Sequence, residues 1–160
     1  MMRWLALSAL LAVSVTGCVT PAPFVASTAA SPAVWQIAEN PEGHLNREVL
    51  WGGMILEIKH RARYTELEML GFPLDAQQQP QPERADEGRY ILIVSGFLDP
   101  ADYAVGRFLT FPGRITGARR GELRNEPYIW PMLDTLQPHL WPKDFREEGK
   151  HYSIGVGVRL

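Results

Sequence analysis

Cysteine is almost missing from this chain: Cys18 is the only one in 160 residues. That excludes an intramolecular disulfide and any cysteine-rich zinc site. An excess of positive charge is missing too. Sixteen Lys and Arg against 18 Asp and Glu give a net charge of −2, whereas nucleic-acid-binding domains carry a clear basic surplus. The four histidines, His44, His60, His139 and His151, show no paired spacing, so neither a metal nor a cofactor is expected. No apolar run reaches the roughly 20 residues that span a bilayer. Ser95-Gly96 lacks the glycine two residues ahead of the serine that a nucleophile elbow uses. What remains is a globular composition, 46% hydrophobic and 21% charged. Its 13 prolines and 14 glycines favour turns and short strands over long helices.

The most informative stretch is Val15-Thr16-Gly17-Cys18. Residues 1–17 carry Arg3 as their only charge, then an apolar run, then small residues, the plan of an export signal. Ending on a cysteine, they fit the bacterial lipoprotein pattern. That pattern implies acyl chains on Cys18, cleavage before it, and acylation of the new amino terminus. One acyl chain holds a protein only marginally, at about 0.8 kcal/mol per buried methylene, but three make release negligible. The competing reading is an ordinary secretory signal with a chance cysteine. Val19, where an aspartate would retain a lipoprotein in the inner membrane, points to the outer membrane. Residues 18–34 are uncharged and proline-broken and are expected to act as a tether; if extended, Thr20 to Pro32 would reach roughly 40 Å.

The domain is expected over residues 35–142, with a polar tail at 143–160 whose alternating end, Ser153 to Arg159, offers one more strand. Glu48 to Ile58 reads as a strand in which Gly52-Gly53 marks a bulge, a sharp coil or a close backbone approach. Tyr64 to Leu70 alternates, with Thr65, Leu67 and Met69 on one face and Tyr64, Glu66 and Glu68 on a wet one. Pro73 to Gly88 reads as a solvated loop, and Tyr90 to Ser95 as a strand buried on both faces. Asp99, Pro100, Asp102 and Gly106 punctuate a short helix. Arg107 to Ile115 is a fourth strand with a bulge at Pro112-Gly113, Gly117 to Gly121 a hairpin tip, and Tyr128 to Leu136 a fifth strand that Pro131 pushes to an edge or bulge. The fold class is therefore all-β with a small inserted helix: a five-stranded, partly open barrel of the OB type, or alternatively a small β-sandwich.

Taken together, the lipobox cysteine, Trp51-Gly52-Gly53 with Ile55 and Ile58, and the run Ser95 to Pro100 followed by Tyr103, Gly106-Arg107, Thr110 and Gly113 resemble the Slp family of bacterial outer-membrane lipoproteins. The resemblance spans roughly residues 35–140. It implies a starvation-associated lipoprotein facing the periplasm, without established enzymatic activity or an agreed ligand.

Two surface features invite chemistry. Arg61, Arg63, Arg119, Arg120 and Arg124, with Tyr64 and Tyr128 near two of the loops, suggest a basic aromatic patch. A domain tethered in the envelope does not meet nucleic acid, so such a patch would take lipopolysaccharide, peptidoglycan or another anionic envelope glycan or lipid; the plainer reading is solvated arginines at turn tips. Glu66 and Glu68, roughly 7 Å apart on one strand face, have the separation of a glycosidase pair, although alternating acids on a wet strand are far commoner. The leading expectation is a non-enzymatic structural or interaction module, in contact with the outer membrane and with envelope proteins.

Overall fold

Alternation in the strand Tyr64–Gly71 does what it predicts: Thr65, Leu67 and Met69 are fully buried on one face. The computed structural model describes residues 21–25 and 30–144; the expected signal, Cys18 and the expected strand at 153–159 lie outside the described residues. Six strands form one sheet: β1 Glu48–His60, β2 Tyr64–Gly71, β3 Gly88–Ser95, β4 Phe108–Leu123, β5 Glu126–Thr135 and the two-residue β6 His139–Leu140. Their order is β1-β2-β3-β5-β4-β6, and β4 also pairs with β1. Five strands thus close into a ring of pairings, with β3–β5 parallel and the other pairs antiparallel. The chain is mostly β with one short helix, the class read from the sequence.

Inside the ring lies the main core, with Trp51, Tyr90 and Phe111 in tilted contact at ring-centroid distances of 5.2 and 6.0 Å. A smaller cluster, Phe72, Phe108 and Trp141 with Met54 and Leu70, packs separately from it. The paired glycines resolve to the third of their expected meanings. Gly53 pairs with Gly71 on one side and Leu109 on the other, a close approach, while the bulge of β1 lies further on, between Ile55 and Glu57.

The helix is not where its punctuation placed it. Asp99 does accept the Ala101 N–H on its side chain at 2.8 Å and the Tyr103 N–H on its carbonyl at 2.9 Å, but the result is a turn. The five residues between Pro100 and Gly106 include none that is buried, so no buried face repays helix nucleation. The helix is instead α1, Val34–Glu39, just ahead of β1. Gln36 caps it by accepting the Ala33 N–H at 2.8 Å, and Val34 and Ile37, one turn apart, are buried in the main core.

The hairpin tip also shifts. Arg124 and Asn125 have φ of 56° and 67°, the signature of a two-residue primed turn. β4 therefore runs on through Gly117–Gly121, with its bulge between Ile115 and Gly117 rather than at Pro112-Gly113. Pro131 is accommodated because β5 begins pairing with β3 only at Met132, so its missing N–H faces no partner there. The 73–87 loop, expected to be solvated, is partly packed: Gln78 is 5% exposed and Leu74 bridges Pro80.

Candidate functional site

The outward residues of β2 are Glu66 and Glu68. Register places Lys59 and Glu57 beside them on β1 and Ile91 beside Glu68 on β3. Met132 of β5 pairs with Ile91, which puts Trp130, two residues earlier, on the same face, opposite Arg119 of β4. Glu57, Lys59, Glu66, Glu68, Ile91, Arg119 and Trp130 together line a cleft of about 190 Å³. A wider, shallower groove near Arg114 and Leu136 has about 400 Å³, but its ion pair, Arg114–Glu48 at 3.5 Å, is well exposed on both sides.

The long β4–β5 hairpin brings Arg119 to Glu66, 53 residues away in sequence, in a bidentate pair at 2.7 and 2.9 Å. Such fork-to-carboxylate geometry is the strong form of an ion pair. Glu68 takes a second arginine, Arg89, at 2.9 Å and the Trp130 indole N–H at 3.3 Å on the same oxygen. Lys59 and Glu57 close a third pair at 2.8 Å. Glu66 is only 5% exposed, so the strand face expected to be wet is covered at its middle, while Tyr64 on the same face stays exposed. The Arg119 hydrogen bonds hold the Glu66 carboxyl below the usual carboxylate range; burial opposes them, and the charges of Arg119, Arg61 and Lys59 add to them. A general acid needs the opposite shift, so in a carboxylate pair Glu66 would not suit the acid.

A pH dependence follows. Because the folded pKa of Glu66 lies below its unfolded value near 4.5, the pair's contribution is present above pH 4.5 and disappears as pH falls through the lower, folded pKa. Arg119→Ala strands a nearly buried carboxylate and is expected to cost about 1–3 kcal/mol at pH 7. That is less than a fully buried pair, because solvent reaches the guanidinium. Denaturant titrations at pH 7 and pH 3 check it: the difference between wild type and variant should shrink at the lower pH.

The five arginines expected as one patch are divided. Arg119 is committed to Glu66. Arg120, its neighbour in β4, points to the other face and pairs with Glu42 at 2.7 Å, a bond that lowers the Glu42 pKa. Both lie within the strand rather than at a tip. Arg61 and Arg63 occupy the turn between β1 and β2, and Arg124 the tip between β4 and β5. Sequence reasoning missed Arg89, Glu42 and the part played by Trp130. Only the register between distant strands could have revealed them. Cys18, the expected lipid attachment, lies outside the described residues.

Residues 15–156 match the family model described as Outer membrane lipoprotein Slp family. Similar chains include the lipoprotein YeaY of Escherichia coli K12, 29% identical over 132 residues that cover 81% of this chain and 68% of YeaY. The outer membrane protein Slp of the same organism is 30% identical over 105 residues, covering 66% of this chain and 55% of that one. Among solved structures, Schizosaccharomyces pombe Pot1pC bound to single-stranded DNA aligns with a TM-score of 0.35 and 9% identity, over 64% of this chain and 84% of that one. So slight a likeness carries no argument about function.

Proposed function

This chain belongs to the Slp family of outer membrane lipoproteins, and from that premise we propose that it is a non-enzymatic module of the cell envelope. In this reading acyl chains on Cys18 hold it on the periplasmic face of the outer membrane, and its ion-paired cleft engages an envelope protein. The observation that carries the reading is that the cleft's charges are already balanced. Arg119 faces Glu66, Arg89 faces Glu68 and Lys59 faces Glu57. A polyanion would have to displace these carboxylates. A protein surface of alternating charge can instead pair with the exposed rim, which favours specificity of docking over bulk attraction. The family resemblance adds synthesis under starvation, which protein abundance on entry into carbon limitation would test.

The anchor has a direct test. Cys18→Ala is expected to move the protein from the outer-membrane fraction to the soluble fraction, because no other acylated group would hold it. Mass spectrometry of the mature amino terminus should find Cys18 first and lipid-modified. For the cleft, a photo-crosslinking residue at Lys59 in intact cells is expected to capture a discrete envelope protein, and the same residue at Glu122 is not. Equal products from both positions, or none from Lys59, would reject the docking role.

One observation favours a second reading. Arg61, Arg63 and Arg124 form no ion pair among the described residues, and the Arg61 charge is felt at Glu66. Binding to lipopolysaccharide or peptidoglycan that survives moderate salt and collapses on Arg61→Ala/Arg63→Ala would replace the protein partner with an anionic glycan or lipid.

A further inference from the structure

The segment expected to act as a tether is gripped by the domain well before its first helix. The Phe24 N–H donates to the Gln78 side-chain oxygen at 3.0 Å, and the Gln78 side-chain nitrogen donates to the Phe24 carbonyl at 2.8 Å. This reciprocal pair is the exchange one strand residue makes with its partner in an antiparallel ladder. Gln78 is 5% exposed, so its amide must find partners inside the protein, and Phe24 supplies them on both atoms.

The loop spends structure to present that amide. Gln78 sits at φ 64°, a left-handed conformation that costs a non-glycine residue energy. Asp75 fixes the loop, accepting the Gln78 N–H on its carbonyl and the Gln77 and Gln79 N–H groups on its side chain. The Thr110 hydroxyl donates to the Gln78 carbonyl at 2.7 Å, and Thr110 accepts in turn from the Trp141 indole. On the other side the Phe24 ring meets His139 edge-on at 6.5 Å. Thr110 pairs with Gly52 of β1 and His139 of β6, so the grip belongs to the β1–β4 arc of the ring. The cleft draws its lining from all five ring strands, including Glu57 and Lys59 of β1 and Arg119 of β4, and none of the clasp residues belongs to it.

We propose that Gln78 is a clasp for the chain's own anchor segment, and that it holds the β1–β4 arc, with the Gln78 loop and β6, against the outer-membrane surface. The inference rests on lipid attachment at Cys18. Phe24 follows Cys18 by six residues, which reach about 20 Å at most when fully extended. Without the clasp, the next tie among the described residues is Ser31, whose hydroxyl accepts the Leu50 N–H at 2.7 Å. Ser31 follows Cys18 by 13 residues, about 45 Å of reach. The clasp therefore removes more than half of the domain's freedom of height and selects which side meets lipid. Val25, wholly exposed beside it, adds an apolar contact on that side.

The test uses the full-length lipidated protein in vesicles of phosphatidylethanolamine and phosphatidylglycerol carrying an acceptor dye on the headgroups. A donor goes on Glu83→Cys in the clasp loop, the only free thiol once Cys18 is acylated. Phe24→Pro removes the donor N–H from a segment outside the ring, leaving the fold intact. Gln78→Asn shortens the amide while keeping a residue that tolerates left-handed backbone. Both are expected to lower energy transfer severalfold, and Gln78→Asn to speed hydrogen exchange of the Phe24 N–H by about tenfold or more. Wild-type protein that fails to float with the vesicles would overturn the anchor, and the orientation with it. Flotation with transfer unchanged by both variants and Phe24 exchange unchanged by Gln78→Asn would overturn the clasp alone.

Discussion

Gly53→Ala is expected to abolish cooperative folding, at a cost of about 3 kcal/mol or more. A Cβ there would overlap the Leu70 carbonyl oxygen, and would lie 2.9 Å from the Leu70 carbonyl carbon and 3.1 Å from the Gly71 Cα. These are backbone atoms of a paired strand and cannot swing aside as a side-chain tip would. Gly53 is also flanked by Leu109 of β4, so relief on one side opens the pairing that closes the ring. Gly106 makes the contrast. It has φ 88° with nothing within 4 Å of its would-be Cβ, so Gly106→Ala is expected to cost only the backbone preference, about 1 kcal/mol. Chemical denaturation followed by circular dichroism separates the two. A Gly53→Ala protein with a cooperative transition close to wild type would refute the packing argument.

Phe111→Ala should be nearly as damaging, losing about 3–5 kcal/mol through lost burial and the cavity left between Tyr90 and the surrounding core. Phe111 is 0% exposed and its ring centroid lies 6.0 Å from that of Tyr90. For a domain whose total stability is about 5–15 kcal/mol, the melting temperature should fall by roughly 10–20 °C. Phe97 is the same residue type at 71% exposure, with its ring against His60 at 4.6 Å. Phe97→Ala is expected to change stability by about 0.5 kcal/mol or less. Thermal scans of the two variants side by side decide whether burial, and not residue type, sets the cost.

Neither phenylalanine can be ranked from its neighbours in sequence. Phe111 lies beside Pro112-Gly113, a pair that suggests a bulge and a strand end. It is core because β4 continues past that pair and lies across from Trp51 on β1. Phe97 follows a strand that is buried on both faces, yet it projects from the connection between β3 and β4. The arginines show the same thing. A cluster such as Arg119-Arg120 beside glycines suggests a solvated tip, because charge and flexibility usually coincide. In the fold the two side chains leave β4 on opposite faces and find carboxylates 53 and 78 residues away.

What the sequence determined by itself is whatever depends on neighbours along the chain. The alternation of Thr65, Leu67 and Met69 chose their inward face; the turn-rich composition chose strands over long helices; and the lipobox before Cys18, with the motif around Ser95 to Pro100, carried the family. What only tertiary structure decided depends on partners that the chain brings together from afar: the closure of β1 on β4, the helix at Val34–Glu39, the covering of Glu66 by Arg119, and the grip of Gln78 on Phe24. The physical reason is range. Period, capping and turn preferences act over a few residues, whereas a hydrogen bond or a backbone contact between residues 50 apart exists only once the ring's register has been set.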